Sequence, residues 1–141
     1  MQSRGTATVT ADLRVRLEVP GDVPVPLPVR LHYRTDEPFS VRAEFLTGDA
    51  GSVEWVFARD LLRDGLTQPA GDGDVRVWPV AGGTPTVSIA LTSPDGHARL
   101  EADATAISAF IERTAALVPP GTEPSYLDLD SELDALLRRP A

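Results

Sequence analysis

The residue types that most often carry catalysis are sparse in this chain. Its two histidines are His32, on the polar side of a predicted strand, and His97, just after a predicted turn, and it has no cysteine. Neither histidine has a second ligand or a nucleophile at a motif spacing, and no serine lies in a G-x-S-x-G sequence. The pattern predicts two surface histidines and no catalytic residue.

Clustered carboxylates could instead bind a cation. Residues 71–74 read GDGD, and Asp128 and Asp130 stand at the start of the last apolar-periodic segment. The GDGD sequence lacks the other ligands and the closing glutamate of a calcium loop. A helix amino terminus accounts for Asp128 and Asp130 without a metal. We therefore predict a tight turn at 71–74, no metal site and, because phosphate-binding glycine motifs are absent, no cofactor.

Length and charge limit the class of protein. A chain of 141 residues predicts one domain, spanning 1–141. The net charge is −8, and all thirteen basic residues are arginines, scattered from Arg4 to Arg139. Such a surface repels nucleic-acid phosphates at long range. The amino terminus has no signal-peptide apolar region, and no run reaches the ~18 apolar residues of a membrane span. A cytoplasmic location without membrane insertion follows as the expectation.

Alternation of apolar and polar residues predicts four strands in the first half of the chain. The alternating segments are 8–19, 29–34, 39–46 and 52–57. The proline-rich stretch 20–28 predicts a loop or a sheet edge. The strands lead into ARDLLRDG, a short helix with Gly65 expected as its carboxyl-terminal cap.

The second half repeats the change from strand to helix. DVRVWPV, TVSIALTS and HARLEA each fit a strand. From Asp103 the apolar period becomes three to four, which predicts a helix capped by Asp103, and a last amphipathic helix follows from Leu129 to Leu137. The order ββββ-α-βββ-α-α predicts an α+β fold, a curved antiparallel β-sheet of about seven strands with three helices on one side.

Aromatic residues leave two other classes of function open. Tyr33, Phe39, Phe45, Trp55 and Trp78 could form a platform for stacking bases, as in a single-stranded nucleic-acid-binding module. Most of them are in phase with aliphatic neighbours, so core packing is the favoured interpretation. A small-ligand or enzymatic domain would instead require a deep pocket with convergent polar groups.

Four long sequences carry a family resemblance, and they occur in the order VEWVFARDLLRDGL, GDVRVWP, IALTSPDGHARLEA and LVPPGTEPSYLDLDSEL. Together they resemble the SsgA-like proteins, which regulate sporulation and cell division in actinobacteria, and they are closest to the SsgB branch of that family. The resemblance extends from Leu13 to Leu137. Residues up to Thr10 and the loop from Pro20 to Pro28 contribute little to it.

The resemblance implies a non-enzymatic regulator of sporulation-specific cell division. Such a protein recruits the tubulin-like GTPase FtsZ, or promotes its assembly, at division septa, and an SsgA-like partner protein helps to localise it. The resemblance also implies a Whirly-like fold and a homo-oligomer, expected to be a trimer. It does not transfer nucleic-acid binding to this chain, because the charge is acidic and the arginines are scattered.

Two charged groups are candidates for contact with a partner. A solvated surface or an internal salt bridge is the structural alternative for each of them. The candidates are Arg59, Asp60 and Arg63 on the short helix, and Asp128, Asp130 and Glu132 at the start of the last helix.

Overall fold

The computed structural model describes residues 5–127 and Leu137, and it contains one antiparallel sheet of seven strands. The strands are β1 Thr8–Leu17, β2 Val25–Arg34, β3 Ser40–Leu46, β4 Ser52–Ala58, β5 Val75–Val80, β6 Thr86–Ser93 and β7 Gly96–Asp103. The helices are α1 Arg59–Gly65 and α2 Ala104–Leu117. Short 3-10 turns occupy Gly48–Ala50 and Glu123–Tyr126.

Strand alternation places one apolar face of the sheet against the helices. Val41, Val77 and Val87 on this face have no exposed surface, and from α2 Ile107 and Phe110 are almost completely buried against it. The opposite face carries the charged residues between them, as period-two patterning requires. The core predicted from the sequence is therefore confirmed for most strands, but Phe39, in the turn before β3, and Val53, near the start of β4, are 46% and 50% exposed.

Strand β2 begins earlier than its prolines predict. Pro26 and Pro28 lie within β2, opposite Arg16 and Arg14 of β1. Thr35 N donates to Ala7 O, so the odd-numbered residues of β2 are the ones that hydrogen-bond to β1. The backbone N–H and C=O groups of the even-numbered residues of β2 therefore point away from β1. The β3 ladder starts only at Val29. The two prolines therefore occupy positions where no ladder bond requires their missing N–H, and the predicted loop is shorter than 20–28.

A short central ladder makes the sheet curl. The strand order is β4-β3-β2-β1-β7-β6-β5, and β1 pairs with β7 only at Arg16 and Leu17. Toward its amino terminus β1 diverges from β7, and α2 packs there instead, with Arg113 Nη1 donating to Thr10 O at 2.9 Å. The two strand-then-helix halves are thus joined by a few sheet bonds and by α2.

The two helices end for different reasons. Asp103 caps α2 as predicted, because its Oδ1 accepts from Thr105 N at 2.9 Å. The prediction that Gly65 is the carboxyl-terminal cap of α1 is wrong, since Gly65 is the last helical residue, its φ is not positive and Leu66 is the capping residue. A Cβ on Gly65 would lie 2.6 Å from Val77 Cβ, so glycine allows α1 to approach β5 closely.

The observed class is α+β, with a curled antiparallel sheet of seven strands and two helices among the described residues. The third predicted helix, from Leu129 to Leu137, falls on residues outside those described, apart from Leu137 itself.

Candidate partner-binding surface

Helix α1 carries the first group of predicted partner-contact residues. It follows directly from β4, and its buried residues are Arg59, Leu62 and Gly65. Asp60 and Arg63 lie on the outer side, where Arg63 Nη2 is 3.4 Å from Asp60 Oδ1 and Arg63 Nε is 3.5 Å from Asp64 Oδ1. Two carboxylates thus share one guanidinium, and the outer side of α1 carries excess negative charge.

Arg59 lies inside the protein and not on this outer side. Its residue surface is only 2% exposed. Nη1 donates to the carbonyl oxygens of Val118 at 2.7 Å and Thr114 at 3.3 Å, and Nη2 donates to Glu123 Oε2 at 2.8 Å. The structure therefore places Arg59 in the internal salt bridge that the sequence left open as the alternative to partner contact.

The Arg59–Glu123 pair holds three segments together. Arg59 begins α1, its carbonyl partners end α2, and Glu123 begins the 3-10 turn that follows. The other carboxylate oxygen of Glu123 accepts from Gly121 N at 2.8 Å. The hydrogen bond from Arg59, with those from backbone N–H groups, lowers the pKa of Glu123. A cation at the end of α2 also complements the negative end of the helix dipole.

Tyr33 forms the floor of this buried site. The Arg59 guanidinium carbon lies 5.1 Å from the centroid of its ring, a cation–π distance. The Tyr33 hydroxyl donates to Pro38 O at 2.9 Å, and burial raises the pKa of Tyr33 to about 12. The site is neutralised and satisfied internally, which fits a structural role.

Sequence reasoning did not single out Glu123. The sequence LVPPGTEPSY shows a glutamate in a proline-rich turn, which is ordinarily exposed. Its partner stands 64 residues earlier in the chain. Among the other predicted contacts, Asp60 and Arg63 are accessible, whereas Asp128, Asp130 and Glu132 lie outside the described residues.

Ion pairs cover much of the charged face of the sheet. Arg42 Nη1 donates to Glu54 Oε1 at 2.8 Å, and Arg42 also bonds to Glu37. His32 Nε2 lies 3.2 Å from Glu44 Oε1. Further pairs are Arg30–Asp12, Arg34–Asp36, Arg16–Glu101 and Arg99–Glu18. Because these guanidiniums already have carboxylate partners, they form no continuous positive track for a phosphate backbone.

The aromatic residues do not form a single platform. Tyr33 and Phe45 are buried, and Trp55 packs against the core. Trp78 lies instead between two arginines, with its ring centroid 5.9 Å from the Arg76 guanidinium and 5.2 Å from that of Arg99.

The interior of the curl leaves little space for a ligand. Its cavity has a volume of about 20 Å³ and is lined by apolar side chains, among them Leu31, Phe57 and Ile107. Small-molecule sites are typically several hundred Å³ with a few convergent polar groups. No group of histidine, aspartate or glutamate residues suited to a metal ion occurs in the described part of the chain. The fold thus defines a small α+β domain whose curl encloses no ligand-sized cavity among the described residues.

Comparison with known proteins identifies the family. Residues 27–123 match the family described as Streptomyces sporulation and cell division protein, SsgA. The chain is 52% identical over 131 residues to the sporulation-specific cell division protein SsgB of Streptomyces coelicolor, covering 92% of this chain and 96% of that protein. It is 46% identical to SsgB of Thermobifida fusca, covering 94% and 96%. The chain belongs to the SsgA family of sporulation and cell division proteins, which confirms the resemblance seen in its sequence.

Solved structures of relatives have the same fold. An SsgB structure, from work on mutations that correlate to longitudinal cell division during sporulation of Streptomyces coelicolor, superposes with a TM-score of 0.84 at 50% identity. It covers 89% of this chain and all of that one. The structure of the SsgA-like sporulation-specific cell division protein of Thermobifida fusca superposes with a TM-score of 0.85 at 44% identity. The match covers 95% of this chain and 98% of that one. Neither helix in the described part of this chain is long and apolar enough to cross a membrane.

Proposed function

We propose that this protein is a non-enzymatic regulator of sporulation-specific cell division that recruits FtsZ, or promotes its assembly, at division septa. The observation that carries the proposal is family membership, with relatives 46–52% identical over nearly the whole chain that are named sporulation-specific cell division proteins. The apolar, nearly filled interior supports recognition by an exposed surface over chemistry in a pocket.

Recruitment by surface complementarity needs no bond to be made or broken. In this proposal the protein is a trimer, and each copy presents the same weak binding surface to a polymerising partner. Avidity then holds the complex together although each contact is modest. An SsgA-like partner protein positions the trimer at the future septum.

Two surfaces are candidates for the contact with FtsZ. The outer side of α1 offers Asp60 and Arg63, both partly exposed and paired with each other. The segment carrying Asp128, Asp130 and Glu132 is the second candidate. Arg59 is excluded from direct contact while its guanidinium is buried against Glu123, so it supports the position of α1 instead.

The direct test is co-sedimentation of the purified protein with FtsZ polymers at micromolar concentration, together with light scattering. We expect the protein to pellet with the polymers and to increase scattering. Size-exclusion chromatography with mass measurement gives the oligomeric state of the same sample. Lack of both co-sedimentation and any change in assembly would contradict direct recruitment.

The same assay maps the α1 surface. Asp60→Arg reverses an exposed charge on α1, and Asp22→Arg makes the same reversal in the exposed β1–β2 turn, at the opposite end of β2 from Tyr33, which packs on Arg59 of α1. If α1 contacts FtsZ, only the first variant loses co-sedimentation. Equal behaviour of the two variants argues against contact through α1.

A further inference from the structure

The two edges of the sheet differ in how well they are protected. On the β5 edge, Val77 exchanges both backbone bonds with Ala70, at 2.8 and 3.0 Å. Pro79, the next outward-facing residue, has no N–H to offer. Natural sheets protect their edges by such means, because unpaired backbone groups are a template for another strand. The β5 edge is therefore blocked.

The β4 edge has no such protection within the described chain. Bonds from Arg59 N to Phe39 O at 2.8 Å and from Thr47 N to Gly51 O at 2.9 Å set the phase of the β3–β4 ladder. Since bonded and non-bonded pairs alternate, the odd-numbered residues of β4 bond to β3. Ser52, Glu54 and Val56 thus direct their N–H and C=O groups outward, and we call these groups the β4 edge.

Among residues 5–127, no loop and no further strand forms a backbone hydrogen bond with the β4 edge. The strand is seven residues long, it contains no proline, and Val53 and Val56 are each 50% exposed. A long, unprotected edge with exposed apolar side chains is the kind of surface that binds an extended peptide by strand addition.

We propose that the β4 edge binds an extended segment of the division partner, which adds to the sheet as an eighth strand. This inference rests on the recruitment function proposed above and specifies the surface that performs it. Main-chain hydrogen bonds to Glu54 and Val56 provide affinity, and the side chains on either face of the added strand provide specificity.

The two faces of β4 define the chemistry of that segment. On the apolar face, Val53 and Trp55 are only partly covered, so alternate residues of the added strand are apolar. On the charged face, Arg42 is already shared by Glu37 and Glu54. This excess of carboxylates selects a strand with basic residues on that side.

The decisive variant is Val56→Pro, which removes an outward N–H and no internal ladder bond. Proline is tolerated at edge positions whose N–H faces solvent. We expect the affinity for FtsZ polymers in co-sedimentation to weaken by at least about tenfold. The hydrogen bond from residue 56 N–H to the added strand is lost, and the proline ring obstructs the approach of that strand. Val56→Thr keeps the N–H and a β-branched side chain, and Val75→Pro places proline on the opposite edge; both are expected to bind like the unmodified protein.

Hydrogen–deuterium exchange on the unmodified protein gives a second readout that does not depend on how a variant folds. Addition of FtsZ polymers is expected to slow exchange in the peptide containing Glu54 and Val56. Unchanged exchange there, or unweakened binding by Val56→Pro, overturns the edge assignment while recruitment itself stands. If Val56→Pro instead lowers the oligomer mass, the edge joins copies of this chain and the assignment is wrong. Absence of binding by the unmodified protein overturns both proposals.

Discussion

Residue Glu123 shows how a single buried carboxylate can hold this fold together. Its side chain is 6% exposed and that of Arg59 is 3% exposed. An ion pair formed out of contact with water gains little over an apolar pair, but removing one partner leaves the other charge buried and uncompensated. The dependence of stability on either residue should therefore be strong.

Replacement of Glu123 by glutamine is expected to lower the free energy of unfolding by about 3–5 kcal/mol at neutral pH. The physical reason is that the Arg59 guanidinium loses its only carboxylate partner within the described residues. Urea denaturation followed by circular dichroism measures the effect. The matched control is Asp36→Asn, which breaks an Arg–carboxylate pair with side chains about half exposed and should cost about 0.2–1 kcal/mol. Equal costs would contradict the assigned role.

The pH dependence of this pair has a defined sign. Because Arg59 lowers the pKa of Glu123 in the folded state, the stabilisation is complete above the ordinary glutamate pKa of about 4.3 and is lost as the pH falls through the folded value. The difference in stability between the unmodified protein and Glu123→Gln should therefore shrink below about pH 4. A difference that stays constant with pH would argue against titration of Glu123.

Sequence reasoning at the level of residues could identify charge but not burial. Arg59 and Arg63 stand four residues apart on one short helix, yet the first is buried and the second is partly exposed. What separates them is Glu123, which belongs to a distant turn. Asp103, by contrast, was predictable as a cap because its partner Thr105 is two residues away.

Among the secondary-structure elements, strands were predictable wherever their alternation was regular. The prolines of β2 made its first residues look like a loop. They are tolerated in the strand because the β3 ladder begins only after them, which the local sequence does not show. The role of Gly65 was concealed for a similar reason, because its close neighbour Val77 belongs to the next strand. Local signals specify an element, and contacts between elements decide its boundaries.

The packing of α1 on β5 can be tested with Gly65→Ala. Alanine favours a helix by about 1 kcal/mol, but its Cβ would lie 2.6 Å from Val77 Cβ and 3.1 Å from Val77 O. Val77 is fully buried and cannot move aside freely. Overpacking of this kind typically costs about 1–3 kcal/mol, so we expect net destabilisation in urea denaturation.

A second glycine provides the control for this substitution. A Cβ on Gly73 would meet no atom within 4 Å beyond its chain neighbours, and the φ of Gly73 is not positive. The variant Gly73→Ala should therefore leave stability nearly unchanged or raise it slightly. A stabilised Gly65→Ala protein would show that α1 does not lie as close to β5 as described.

For the whole molecule, the order of elements and the family were predictable, whereas the closure of the sheet was not. The β1–β7 ladder joins residues more than eighty positions apart and comprises only two residue pairs. No local pattern encodes such a contact. It matters for the proposed function, because it leaves β4 and β5 as the two edges of the sheet, one exposed and one blocked.

The proposed trimer makes a quantitative prediction about binding. Three copies of one weak surface can engage neighbouring subunits of a polymer, whereas an unassembled FtsZ subunit occupies one surface at a time. Linked binding of this kind commonly raises apparent affinity by about 100-fold or more. We therefore expect tight binding to FtsZ polymers and at least about 100-fold weaker binding to unassembled FtsZ, measured with immobilised protein and with FtsZ in both states.

The oligomeric state and the affinity ratio must change together if avidity is the cause. Sedimentation velocity should give a mass about three times the 15.1 kDa of one chain. Dilution that dissociates the trimer should reduce polymer binding far more than binding to single subunits, because only the former depends on linkage between copies. A monomer that still prefers polymers would indicate recognition of a site formed between FtsZ subunits, and multivalency would then play no part in the recruitment.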